Sequence, residues 1–310
     1  MRRAFPHELA AARLVMTEGS VYERLRRHPG IEYDDAIAHG GLIYDPRTAT
    51  ILGDVHREYV REAMRAGLPM VVGAGTWRAN RDRVARSRFA DRDVNRDQVA
   101  FVRAICRAQP SAAPLYVAGV MGPRGDAYRP DASLSPAAAR EYHAWQADAL
   151  ADAGADLLLA LTMPAIAEAR GMALAMEATQ VPYVLSFVVR AAGTLLDGTP
   201  LAEAIDTIDQ GSRPPTGYAV NCVHPSVLDR ALGSAGPGAV ARIVGFRANT
   251  SALRPEELDN SAVLITEPPG PFAEQIHAVA RTYGLNLLGG CCGTGTEHIA
   301  AIVRRFTEDA

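Results

Sequence analysis

Cysteine is scarce in this 310-residue chain, which has only Cys106, Cys222, Cys291 and Cys292. Four are too few to staple a disulfide scaffold, and so few suit a reducing compartment. An excess of one charge is also missing. A formal net charge of −3 provides no basic field for nucleic acid or another polyanion. No apolar stretch approaches the ~18–20 residues needed to span a bilayer. The opening residues, Arg2-Arg3-Ala4-Phe5-Pro6-His7-Glu8, lack the apolar core of a signal peptide. A soluble cytoplasmic protein without a membrane partner is expected. No Ser/Gly-rich linker and no internal repeat divides the chain, so a single domain over residues 1–310 is expected.

What the chain does have is a rhythm. Short apolar runs occur at Arg13–Met16, Met70–Val72, Leu115–Ala118, Leu157–Ala160, Tyr183–Phe187, Tyr218–Val220, Ile243–Phe246 and Asn286–Leu288. Continuous apolar runs without alternation mark strands buried on both faces, as in a parallel sheet. Helical patterns lie between them. His56, Val60, Ala63 and Met64 share one face of a helix that ends at Gly67, and Glu141–Ala153 stops at Gly154. Further helices are predicted over Ile166–Ala175, Gln275–Arg281 and His298–Phe306. Eight strand–helix repeats predict an α/β fold, a single (β/α)8 TIM barrel. A doubly wound open sheet is the alternative. The mixed Arg/Asp stretch from Arg78 to Asp97 reads as a solvated loop or helix face, with the lining of a site as the alternative.

Gly289-Gly290-Cys291-Cys292-Gly293-Thr294 is the most informative segment. Adjacent cysteines rarely reach relaxed disulfide geometry, and glycines let backbone and substrate approach closely. A metal site, a packed pair and a redox pair all remain open for the doublet alone. The barrel narrows this, because its active site lies at the carboxyl ends of the strands. Strand six ends in Val220-Asn221-Cys222 and strand eight in Gly290-Cys291-Cys292, with one strand between them. Three thiols at one rim make a three-thiolate zinc site with Cys222, Cys291 and Cys292 as ligands and an open fourth position. Such an electron-rich Zn2+ suits sulfur attack on an alkyl donor better than water activation. Cys106, in a helical context, reads as an inert core thiol, and His224 and His298 read as structural. Glu18, Ser20, Thr76 and Asn249 are further candidates for substrate contact, with a structural role at turns and strand ends as the alternative. Arg78 and Arg247 lie just past strands two and seven, where they can pair with an anionic substrate group. A hydrolase or lyase on the same scaffold, or a non-catalytic zinc-binding descendant, are the other readings.

With these residues in view, the chain resembles the homocysteine S-methyltransferase family over nearly its whole length. The resemblance rests on Gly289–Thr294 followed by Glu297-His298-Ile299, with Asn221-Cys222 upstream. Glu18-Gly19-Ser20, Thr76-Trp77-Arg78-Ala79-Asn80, Gly122-Pro123, Thr162-Met163-Pro164, Asp197-Gly198 and Asn249 are supporting echoes. It implies a zinc barrel that methylates a thiol, homocysteine or a relative, from a sulfonium (S-methylmethionine or S-adenosylmethionine), betaine or folate donor, in methionine biosynthesis. It also implies substrate contacts at Glu18, Gly19, Ser20, Thr76, Asn249, Gly289 and Gly290. An oligomer is compatible with it. The chain departs from the family where members carry Asp-Gly-Gly (here Glu18-Gly19-Ser20), Asn (Gly75) and Glu (Leu161). That last glutamate helps hold the substrate ammonium. Losing its charge-assisted hydrogen bond removes ~1.5–3 kcal/mol, roughly one to two orders of magnitude in affinity. The expected acceptor is therefore a thiol that lacks the α-amino group or is bound differently, with homocysteine still reachable through the longer arm of Glu18.

Overall fold

The computed structural model describes residues 3–258 and 263–308. Its eight strands are β1 (Val15–Thr17), β2 (Met70–Gly73), β3 (Leu115–Met121), β4 (Leu157–Met163), β5 (Tyr183–Phe187), β6 (Gly217–Asn221), β7 (Ile243–Ala248) and β8 (Leu287–Gly290). All are parallel and close in sequence order. β8 returns to β1 through Val15 opposite Leu287 and Met16 opposite Leu288. The open-sheet alternative is excluded, and the single (β/α)8 barrel stands.

The lack of alternation in the sequence now has its cause. Within β4, Leu157 and Leu159 face the barrel interior while Leu158 and Ala160 face the helices, and all four are buried. Burying one such leucine contributes roughly 1.5–3 kcal/mol, so both faces of each strand stabilise the barrel. Interior side chains, among them Val71, Tyr116, Val120, Val184 and Leu287, fill the barrel as a solid core.

The helix Phe5–Ala11 was not apparent in the apolar rhythm. Phe5 and Leu9 pack into this interior cluster, and the Phe5 and Tyr116 rings meet edge to face at 5.5 Å. The Tyr116 hydroxyl donates to the Arg3 carbonyl at 2.8 Å. The N-terminal segment thus stoppers one end of the barrel, leaving chemistry to the other.

The outer helices run longer than the sequence suggested. Glu141–Ala153 extends to Pro136–Asp152, starting at proline behind a Ser135 cap. Gln275–Arg281 extends to Pro269–Tyr283, stopped by Gly284 at φ 71°. Proline suits the first helical turn and glycine the left-handed stop. Among the described residues no helix is long and apolar enough to cross a membrane.

Candidate functional site

The carboxyl ends of β6 and β8 place Cys222, Cys291 and Cys292 together, with their Sγ atoms all within 4.8 Å of one another. Local backbone explains how. Cys222 adopts φ 58° and Thr162, at the end of β4, φ 63°, a left-handed geometry that costs of order 1–3 kcal/mol for a residue with a Cβ. Asn221 stands between them. Its Oδ1 accepts from the Thr162 N–H at 2.9 Å and from the Ser186 hydroxyl at 2.6 Å. Its Nδ2 donates to Thr162 Oγ1 at 2.9 Å and to Cys222 Sγ at 3.1 Å. One fully buried amide therefore ties β4, β5 and β6 to a thiol.

Asn249 performs the matching task between β6 and β8. Its Nδ2 donates to the Cys222 carbonyl at 3.0 Å, and its Oδ1 accepts from the Cys292 N–H at 3.0 Å. The glycines before the doublet serve close packing. A Cβ on Gly289 would lie 2.0 Å from Thr17 Oγ1, and one on Gly290 would lie 2.2 Å from Thr294 Oγ1. Neither glycine is among the residues lining the cavity described below, and the close approaches at Gly289 and Gly290 are those of the β1 end and the Thr294 turn.

Three thiols this close share protons. Cys291 is held well below the usual thiol range by hydrogen bonds from Cys222 and Cys292, with the Arg247 guanidinium assisting against burial. Cys222 is pushed up to about 12, chiefly by donating to Cys291. Cys292 also rises, through Cys222, Cys291 and burial. Hydrogen bonding within the trio thus favours the thiolate form at Cys291 and the thiol form at its neighbours. This donor set of three convergent sulfurs fits a soft metal ion, and it is the one such group among the described residues.

Beside the thiols lies a cavity of about 360 Å3, lined by Glu18, Trp77, Arg78, Leu161, Arg247 and the three cysteines among others. Its size falls within the range of small-molecule sites. Glu18 reaches it but is committed. Its Oε1 meets His56 Nδ1 at 2.5 Å and its Oε2 accepts from the Gly73 N–H at 2.9 Å. Gly19 lies on the cavity wall, and there a Cβ would strike the Tyr59 ring at 2.8–2.9 Å. Ser20 caps the helix Val21–Arg26 by accepting from the Glu23 N–H. Thr76 lies outside the lining. Its hydroxyl donates to the Val120 carbonyl at 2.6 Å and accepts from the Val120 N–H at 3.1 Å, locking the β2 end to β3. Leu161 presents a side chain without charge to the cavity, and its carbonyl accepts from Trp77 Nε1 at 3.4 Å.

The stretch Arg78–Asp97 lines the site in part, the alternative to a solvated face. It forms the helix Arg81–Arg86 and the start of Val94–Arg107, and both Arg78 and Arg83 turn into the cavity wall. His224 caps the helix Pro225–Ala235 and pairs with Glu267 at 3.1 Å. His298 bonds the Glu267 carbonyl at 2.9 Å. Cys106 is buried in its helix, away from the rim. Tyr128, not singled out in the sequence, reaches the cavity on the loop after β3. That loop is pinned from below by the buried Glu168, whose Oε1 accepts from the Arg124 N–H at 2.7 Å and meets His143 Nε2 at 2.9 Å. A glutamate forty residues downstream of a loop carries no sequence signal of that task.

Fold and site together define a barrel with a candidate three-thiol metal centre at its catalytic rim. The chain belongs to the homocysteine S-methyltransferase family, whose sequence profile matches residues 15–306. It is 29% identical over 223 residues to a homocysteine S-methyltransferase of Escherichia coli strain K12, covering 63% of this chain and 64% of that protein. It is 26% identical over 179 residues to the homocysteine S-methyltransferase YbgG of Bacillus subtilis strain 168, covering 57% and 55%. These alignments thus span somewhat less than two thirds of either relative. Among solved structures, the homocysteine methyltransferase MmuM from Escherichia coli in its metallated form superposes with a TM-score of 0.76 at 23% identity, covering 98% of this chain and all of that one. That likeness establishes the shared fold.

Proposed function

We propose that this protein is a zinc-dependent S-methyltransferase that moves a methyl group from a sulfonium donor, S-methylmethionine or S-adenosylmethionine, to a thiol acceptor, homocysteine or a related thiol. The observation that carries the reading is the convergence of Cys222, Cys291 and Cys292 within 4.8 Å beside a ligand-sized cavity. These three residues would hold the metal. When bound, Zn2+ acidifies an incoming thiol, so that a sulfur nucleophile is available near neutral pH.

The chain's own residues supply position and exclusion of water. Asn221 and Asn249 fix the thiols from behind, as outer partners of metal ligands characteristically do. Val120 and Leu161 give the cavity apolar walls, and a dry wall strengthens every charge interaction inside it. Alignment of sulfur with the methyl carbon is then the main contribution to rate. No side-chain base is required, since the acceptor's proton is already labile.

Metal analysis with a methyl-transfer assay tests the reading. The wild type should bind about one zinc per chain, and Cys222→Ser or Cys291→Ser should lose both metal and turnover. Wild-type turnover by metal-free protein would refute it.

A further inference from the structure

The charges around the cavity do not balance. All 32 positions counted as lysine or arginine are arginine, so its cations are guanidiniums. Arg78 donates through Nη1 to the Gly125 carbonyl at 2.6 Å and lies 4.1 Å from the centre of the Trp77 ring. Arg83 donates through Nη1 to the Ala36 carbonyl at 3.2 Å, and its buried Nε has no partner. Among the described residues neither arginine forms an ion pair with a carboxylate. The carboxylates of the same cavity are engaged elsewhere. Glu18 holds His56 and the Gly73 N–H, and Glu23 holds Arg26 and Arg27. Asp126 is exposed, accepts from the Tyr128 N–H at 2.8 Å, and acts on Arg78 and Arg83 through its charge without a direct ion pair.

Two neighbouring guanidiniums with no direct ion pair, and only the exposed Asp126 as a nearby counter-charge, are costly. Burial and the nearby Arg83 bring Arg78 down to about 10, and burial also lowers Arg83. Both are nonetheless held ready, since carbonyl bonds and the Trp77 face fix Arg78 while leaving other N–H groups of its planar fork available. A fixed fork on a cavity wall, offset only in part by the exposed Asp126, is complementary to a planar oxyanion. It disfavours an ammonium group, which would find no uncommitted buried carboxylate.

We propose that Trp77, Arg78 and Arg83 form an oxyanion subsite that takes the carboxylate, or an equivalent oxyanion, of a small co-substrate of methyl transfer. The inference rests on the thiol-methyltransferase reading. It makes acidic sulfur compounds without an amino group preferred over their neutral and cationic counterparts.

Binding of three thioethers of matched length to the purified protein tests the subsite without requiring metal or turnover. These are 3-(methylthio)propionate, 3-(methylthio)propan-1-ol and 3-(methylthio)propylamine, titrated by calorimetry. The acid should bind about ten- to hundredfold more tightly than the alcohol, and the amine most weakly. Arg78→Met should remove the acid's advantage while leaving alcohol binding intact, which also reports an intact cavity. Arg83→Met should act in the same direction. Equal binding of the three ligands, no binding of the acid, or an equal loss for acid and alcohol in Arg78→Met would overturn the subsite. In steady-state assays, a rise in KM for an acidic acceptor assigns the tail to the acceptor, and a rise confined to an acidic sulfonium assigns it to the donor. Retained acid selectivity in a zinc-loaded protein that methylates no thiol would instead refute the proposed function and leave the subsite standing.

Discussion

Asn221→Ala removes four hydrogen bonds from a site with almost no solvent access. Asn221 is 1% exposed, so water cannot readily replace the lost amide. The Thr162 N–H and the Ser186 hydroxyl, bonded at 2.9 and 2.6 Å in the wild type, lose their shared acceptor. A buried donor without a partner costs about 1–3 kcal/mol. Relaxation of the left-handed backbone at Thr162 returns part of this, leaving a net loss of about 2–4 kcal/mol. That is smaller than the ~5–15 kcal/mol typical of a folded protein, so the variant should remain folded, with a lower urea midpoint. The same substitution frees Cys222, whose Sγ receives the Asn221 amide at 3.1 Å. Loss of such an outer partner characteristically weakens metal binding about 10–100-fold, so a chelator competition should show a loss of that size. A stability change below about 1 kcal/mol together with unchanged metal affinity would refute the role assigned to Asn221.

Metal-free protein should show a reactive Cys291. Its pKa is lowered, so its thiolate persists at pH values below those at which an ordinary thiol becomes protonated, and reactivity disappears only as pH falls further. Iodoacetamide at pH 7 followed by peptide mass mapping should label Cys291 faster than Cys106, and Cys222→Ala should slow that labelling by removing the largest stabilising hydrogen bond. Gly289→Ala should destabilise the β1–β8 seam by about 3 kcal/mol, since overpacking costs this much when backbone cannot yield. The added methyl would meet Thr17 Oγ1 at 2.0 Å and the Thr17 and Glu18 carbonyls at 2.8 and 2.9 Å. A melting temperature within error of wild type would contradict that packing argument.

All eight strands were legible because burial on two faces writes itself as an unbroken apolar run, and Tyr183–Phe187 coincides with β5 to the residue. The meeting of Cys222 with Cys291 and Cys292 was legible for a related reason. Barrel topology turns strand order into rim position, so three thiols at the ends of β6 and β8 had to share one edge. The polar rim was harder to read. Thr76 and Ser20 look like substrate ligands in sequence; the Thr76 hydroxyl completes a strand junction, and Ser20 caps a helix while also lining the cavity. Backbone groups left open at strand ends claim the nearest short polar side chain, and spacing does not reveal which will be claimed. Arg78 was legible from its place just past strand two, whereas Arg83 was obscured by composition. A mixed Arg/Asp stretch looks solvated until the fold shows which charges have partners.

The stoppered barrel has a consequence for traffic. Phe5 and Leu9 close one end, and packed side chains fill the interior up to Val120 and Leu161, which also line the cavity. The site is therefore a cup, with no tunnel through the barrel. On the proposed methyl-transfer reading, acceptor and donor would both reach the thiols through that one mouth. The shape of the barrel, independently of the chemistry at the thiols, then makes the two molecules share a single path to solvent.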